Sequence, residues 1–217
     1  MNWSSVFVAF VVMLSMFSTP GQQKNVYDIL KSTPPIGGES TITADFMQLG
    51  NPDNMQIATE NSQADLNAYQ VIISYMMDNY KNVYLADVLT IAENIVQNCA
   101  EQKIDPLLFA GLLAVESEFN RQAVSSSGAK GLGQLMPVNL QIYGVSDPFD
   151  IAQNIRASSK MMRELVNAWG GDMNYALASY FEGINAIKRN KGNPFKPGTA
   201  NYVYRVYSKY NAMKQYL

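Results

Sequence analysis

The sequence predicts a predominantly α-helical fold, and three observations carry that prediction. Apolar residues recur at three- and four-residue spacing in segment after segment. Asp or Thr precedes several of these segments and glycine ends others, the usual punctuation of helices. No alternating apolar and polar run rivals these signals anywhere along the chain.

The first element is Val6–Phe17, an apolar run of 12 residues bounded by Ser and Thr-Pro-Gly. It fits the core of a signal peptide and is short for a membrane span of about 20 residues. Residues 1–21 are therefore read as a signal peptide. A retained N-terminal membrane anchor is the alternative, because no Lys or Arg precedes the run and no A-x-A site follows. No cysteine follows closely either, which excludes a lipoprotein anchor. Residues 22–66 are rich in Asn, Gln, Ser, Thr, Gly and Pro and read as a polar linker or flexible arm.

The folded domain is expected from residue 67 to 217, with its core over 85–217. Leu66, Tyr69, Ile72, Ile73, Met76 and Met77 give a first short amphipathic helix. Tyr84–Lys103 follows, with an apolar stripe of Leu85, Val88, Leu89, Ala92, Ile95, Val96 and Cys99. That stripe should pack beside the next helix and makes Cys99 a core residue.

The centre of the chain is Leu107–Pro137. Asp105 is placed as an N-cap, Pro106 suits the first helical position, and Ile104 with Phe109 can form a hydrophobic staple. Leu108, Leu112, Val115, Glu116 and Phe119 then fall along one side. A carboxyl group on an apolar side is desolvated, so its pKa rises and it can serve as a general acid. The plainer reading is a Glu near a helix end that reaches water. Beyond it lie the polar turn Ser125–Ala129 and Gly131-Leu132-Gly133-Gln134. There the glycines would let backbone approach a ligand, and Gln134 offers a donor and an acceptor.

Pro148 and Asp150 introduce a helix over Ile151–Trp169, stopped by Gly170-Gly171. Asp172 caps a helix that carries Ser179-Tyr180-Phe181-Glu182 and ends near Gly183. A basic segment, Lys188–Gly198, leads to a last helix, Ala200–Tyr216, for which Thr199 can act as cap.

Composition narrows the chemistry. The chain has 217 residues, 47% hydrophobic content and a formal net charge of -2. With a pI near 5.2 it has no basic stripe to neutralise phosphates, which argues against nucleic-acid binding. It contains no histidine and one cysteine. Histidine-based triads, imidazole metal sites and thiolate zinc clusters are thereby excluded. Carboxylates, hydroxyls and amides remain.

Glu116-Ser117, then Ser125-Ser126-Ser127-Gly128-Ala129-Lys130-Gly131-Leu132-Gly133-Gln134-Leu135-Met136-Pro137, resembles the catalytic core of the soluble-lytic-transglycosylase type. These are goose-lysozyme-like peptidoglycan-cleaving enzymes, and the similarity runs from about Leu85 to the C-terminus. Ser179–Gly183 stands where the family has Ala-Tyr-Asn-Ala-Gly: Tyr180 and Gly183 match, Phe181 and Glu182 depart. Asp150–Asn154 resembles the segment in which an Asn, more often structural than substrate-binding, precedes the long helix. Asn201-Tyr202-Val203 resembles the late Tyr-Val motif. Gly133 replaces a frequent Met, which should cost packing but open the backbone.

The resemblance implies an all-α, lysozyme-like domain with a substrate cleft. It implies a peptidoglycan lytic transglycosylase that cleaves the β-1,4 bond between N-acetylmuramic acid and N-acetylglucosamine. Glu116 would be the single catalytic acid and base. Ser125, Gln134, Met136, Tyr180 and Tyr202 would bind substrate, with Tyr180 also positioning Glu116. No metal or organic cofactor is required. Glycan strands are the expected partner, and the protein is expected to be exported to a periplasmic, envelope or extracellular location. Two alternatives stand beside this. One is a hydrolytic muramidase that uses Glu182 as a second carboxylate, since Glu118 points roughly 200° around the helix from Glu116. The other is a wall-binding or assembly module without turnover.

Overall fold

A computed structural model of the chain describes residues 52–191 and 193–217, with side chains from residue 64 onward. The expected signal segment, 1–21, and the first part of the expected linker lie outside these residues. Among the described residues there are eight α-helices, one terminal 3-10 turn and only isolated β-bridges. The helical class expected from the periodicity is what the chain adopts.

Helix α1 spans Pro52–Asn79 and so begins well ahead of the start at Leu66 that apolar spacing gives. Pro52 suits a first helical turn. The residues after it are mostly Asn, Gln, Glu, Ser and Thr, so no stripe reveals the helix there. A compact unit extends over Glu60–Leu217. Within it α1 buries Val71, Ile72, Tyr75 and Met76.

Helix α2, Leu85–Gln102, buries Val88, Ile91, Ala92, Ile95 and Cys99, while Leu85 stays exposed. Its buried face is thus turned slightly from the expected stripe, with Ile91 taking the place of Leu85. Burial pushes the Cys99 thiol well above its ordinary pKa, which suits an inert core residue. The Arg163 guanidinium donates to the backbone oxygens of Gln102 and Lys103, closing off the last carbonyls of α2.

Helix α3, Pro106–Ser117, is the centre of the domain. Asp105 accepts from the backbone N–H groups of Leu107 and Leu108, as the cap reading requires. The expected apolar side becomes an apolar circumference: Leu107 through Ala114 are all buried. A helix buried all round is a core helix. It packs against α2 and against the final helix α8, Pro197–Met213. At that crossing a Cβ on Gly111 would lie 2.9 Å from the carbonyl oxygen of Val206 and 3.2 Å from the Tyr210 nitrogen.

Four further helices complete the domain. They are α4 (Pro137–Ile142), α5 (Ile151–Ala168), α6 (Met173–Glu182) and α7 (Ile184–Arg189). Asp150 caps α5 through the Gln153 N–H, and Asp172 caps α6 through those of Asn174 and Tyr175. Helix α5 packs on α2 and α6, and α6 on α8. Thr199 does not cap α8. That helix starts at Pro197, and Thr199 lies inside its first turn, where its hydroxyl donates to Glu182 instead. Proline at the first position had already set the start.

Gly111→Ala tests the central crossing. In an open helix the change would gain about 1 kcal/mol of helix propensity. Here the new methyl meets backbone that cannot rotate away, so a net loss of about 1–3 kcal/mol is expected, read as a lower denaturation midpoint.

Candidate active site

Glu116 sits in the last turn of α3, and the next three residues fix its place. Ser117 is buried and donates its hydroxyl to the Leu113 carbonyl. Glu118 and Phe119 then both adopt the left-handed region, with φ of 53° and 58°. Two successive non-glycine residues there carry strain. Burial of the Phe119 ring, edge-on to Tyr80 at 5.0 Å, offsets it. The chain therefore turns sharply away immediately after the acid.

The Glu116 carboxyl is half-buried, and burial raises its pKa to about 7. Two influences act the other way: a hydrogen bond from Tyr202 and the positive charge of Arg205. The Tyr202 hydroxyl donates to Glu116 Oε1 at 2.5 Å. Tyr202 lies on the buried side of α8, and Arg205 stands one turn further along the same helix. The phenol's own pKa is pushed well up by burial and by Glu116, so it remains a neutral donor. A carboxyl poised near 7 can hold a proton at neutral pH and give it up in reaction.

The segment after the acid is a self-braced loop. The Ser125 N–H donates to the Ala129 carbonyl, and the Ala129 N–H donates back to Ser125 Oγ. Lys130 bridges to both Val124 and Leu135. Gln134, at φ 49°, donates its Nε2 to the carbonyls of Ala123 and Gly131. Its amide nitrogen is thus spent on the loop, and among the described residues Oε1 has no donor.

The two glycines make their close approaches to protein, not to an open cleft. A Cβ at Gly131 would lie 2.2 Å from the Pro148 carbonyl and 2.3 Å from Asn154 Nδ2. One at Gly133 would lie 2.5 Å from the Ser158 Cβ and 2.9 Å from the Tyr180 hydroxyl. The expectation that Gly133 opens the backbone is therefore reversed: it closes the loop onto α5 and α6. Asn154 is the pin. It accepts from the Gly133 N–H at 2.7 Å and donates to the carbonyls of Lys130 and Pro148, fully buried.

Tyr180 also differs from expectation. Its hydroxyl donates to the Gly133 carbonyl at 2.7 Å, so Tyr202 rather than Tyr180 carries the hydrogen bond to the acid. Tyr180 still stands near enough for Glu116 to raise its pKa. Met136, at the entrance to α4, is exposed. Sequence reasoning missed Arg205, although its i+3 spacing from Tyr202 was a usable signal. It also left Phe181 without a role; its ring stacks on Tyr202 with centroids 4.6 Å apart and planes 19° from parallel.

Glu182 is engaged elsewhere. Lys196 pairs with its Oε1 at 2.5 Å and Thr199 donates to Oε2 at 2.8 Å, and these bonds lower its pKa. A separate cavity of about 420 Å³ opens between the α1–α2 turn and residues 117–122. Neither Glu116 nor Tyr202 lines it. Among the described residues no cluster of acidic, His or Cys side chains could hold a metal ion.

The model of the family described as Transglycosylase SLT domain matches residues 93–203. The chain is 39% identical over 106 residues to the "Transglycosylase" of Enterobacteria phage PRD1, covering 49% of this chain and 40% of that protein. It is 27% identical over 173 residues to membrane-bound lytic murein transglycosylase D of Escherichia coli K12, covering 74% and 35%. The chain thus spans well under half the length of either relative. Among solved structures, the 70 kDa soluble lytic transglycosylase of Escherichia coli superposes with a TM-score of 0.51 at 20% identity. That match covers 73% of this chain and 30% of that one, and it speaks for the fold.

The raised pKa couples stability to pH. Because the folded state holds the Glu116 proton more tightly than the unfolded chain, the contribution of Glu116 to stability is greatest below about pH 4.5 and falls as pH rises to about 7. Glu116→Gln removes that penalty. Thermal melts should show the variant more stable at pH 8, on the order of 3 kcal/mol at most, with the gap closing near pH 4.

Proposed function

Because the chain belongs to the Transglycosylase SLT domain family, we propose that it is a peptidoglycan lytic transglycosylase. It cleaves the β-1,4 bond between N-acetylmuramic acid and N-acetylglucosamine and leaves a 1,6-anhydromuramoyl end. The observation that carries this reading is the half-buried Glu116, raised to about 7 and held by Tyr202 at 2.5 Å.

Glu116 protonates the glycosidic oxygen as the bond to the muramic acid C1 breaks, assisted by the muramyl acetamide. The resulting carboxylate takes the proton of the C6 hydroxyl, whose oxygen then closes on C1. The proton returns to Glu116 and no water is consumed. Tyr202 holds the carboxyl through both steps, and as a neutral donor it stabilises the transient carboxylate. One carboxylate suffices because the substrate supplies the nucleophile, unlike the two-carboxylate glycosidases.

Glu182 is poorly suited to activate water. Its two oxygens already accept from Lys196 and Thr199, and its lowered pKa makes it a weak base. The hydrolytic alternative therefore loses its second carboxylate. In substrate binding, Gln134 Oε1 and the exposed Met136 line the strand's path, with Ser125 shaping the loop beside them. Tyr180 acts from behind by holding the Gly133 carbonyl.

The partner is the glycan strand of the wall, and nucleic acid is not one. Residues 1–21 direct export to the envelope, periplasm or exterior, with a membrane tether as the alternative outcome of N-terminal sequencing. Among the described residues no helix is long and apolar enough to cross a membrane. Residues from about Asn67 onward suffice for folding and activity.

Mass spectrometry of muropeptides released from purified wall tests the reaction. Products should carry the anhydro ring and be lighter by one water than reducing-end products. Glu116→Gln should lower turnover by about 10²–10⁴-fold while wall binding persists; near-wild-type cleavage would overturn the assignment. Glu182→Ala should still give anhydro ends, whereas reducing ends from the wild type would favour a hydrolase.

The acid must begin protonated, so kcat/KM should fall as pH rises through about 7. A rate that climbs steadily to pH 9 would contradict the acid role.

A further inference from the structure

Phe181 and Glu182, which depart from the family motif at Ser179–Gly183, occupy adjacent positions at the end of α6, and both reach α8. Phe181 lays its ring over Tyr202, 4.6 Å between centroids and 19° from parallel. Phe181 is 50% exposed, whereas the Tyr202 beneath it is 4% exposed. Glu182, the next residue, is tied by Lys196 and Thr199 to the start of α8. The last turn of α6 is thus fastened to α8 on one side and laid across Tyr202 on the other.

We propose that Phe181 is a positioning residue, held over Tyr202 by the Glu182 clamp, which keeps water from the Tyr202–Glu116 pair. The inference rests on the reading of Glu116 as the acid.

The Tyr202 hydroxyl donates to Glu116 Oε1, so the phenol and the carboxyl share one low-dielectric space. An aromatic ring stacked on the phenol removes one face of that space from solvent and limits the ring's tilt. A smaller side chain at 181 would admit water beside Tyr202 and the carboxyl. The groups acting electrostatically on Glu116 are Tyr202 and Arg205 from α8, and Glu116 in turn acts on Tyr180 of α6. Desolvation outweighs the Tyr202 bond and the Arg205 charge in setting the acid's pKa. Admitting water should therefore move the titration of Glu116 downward.

The test is a carboxyl-carbon NMR titration of Glu116 in the full chain, run beside the pH profile of wall cleavage. Phe181→Ala and Phe181→Asn should titrate lower than wild type by about one pH unit, and Phe181→Tyr should match wild type. Glu182→Ala should move it in the same direction by less. In the rate profile, Phe181→Ala should lose about tenfold in kcat/KM at pH 8 but little at pH 5. A Glu116 titration unchanged or raised in Phe181→Ala overturns the proposal, as does a loss of rate equal at every pH. If Phe181→Ala does not fold, Phe181→Leu decides, since it keeps apolar bulk without a ring face. The two readings fail separately. An active Glu116→Gln variant would end the acid assignment and leave the titration result standing. An unchanged titration beside an inactive Glu116→Gln variant would end only the role of Phe181.

Discussion

The hydrogen bond between Tyr202 and Glu116 joins the two helices on which the domain is built. It spans 86 residues of sequence and closes the end of the α3–α8 crossing. A carboxyl at the end of a fully buried helix would otherwise be a liability, because an unpaired buried charge is costly. Here the cost is limited in three ways: the group keeps some contact with solvent, one oxygen accepts a hydrogen bond from the phenol, and a guanidinium stands nearby. Those influences are weaker than desolvation, so the carboxyl stays close to its own titration point at neutral pH. A stronger partner, such as a salt-bridged arginine, would have fixed it as a carboxylate.

The second constraint is the loop from Ala123 to Leu135. It buries Leu132 and Leu135, and hydrogen bonds set the path of the turns between them. Asn154 supplies three from one buried side chain. Each is worth only about 0.5–1.5 kcal/mol net, but leaving its partners unpaired in the interior would cost about 1–3 kcal/mol apiece. The glycines at 131 and 133 are required by this pin, since any Cβ would collide with Asn154, Ser158 or Tyr180. The loop's rigidity is what α5 and α6 contribute to the site.

Much of this was legible in the sequence because the relevant signals are local. Asp105, Asp150 and Asp172 cap the helices they precede, and Cys99 lies in the core. Glu116 stood out as a carboxyl within an apolar run. The features that escaped were non-local. Glycine at 131 and 133 says that backbone comes close to something, but not whether that is ligand or protein. Tyr180 and Tyr202 carry the same hydroxyl, and only the packing of α6 and α8 decides which reaches the acid. The early part of α1 has no apolar stripe, so periodicity could not find it. Thr199 looked like a cap because sequence shows a hydroxyl before a helix, not the Glu182 carboxylate that competes for it.

The count of carboxylates at the site is set by these same contacts. Three acidic residues stand near the α3–α6–α8 junction in sequence terms: Glu116, Glu118 and Glu182. Glu118 occupies a left-handed turn after the helix and is exposed, and it acts on Tyr80 rather than on the acid. Glu182 is held ionised by a lysine and a threonine. Only Glu116 combines burial, a neutral donor and a titration point near neutrality. The contact that ties α6 to α8 thus takes up the second carboxylate and leaves Glu116 as the one of the three whose proton is held near neutral pH.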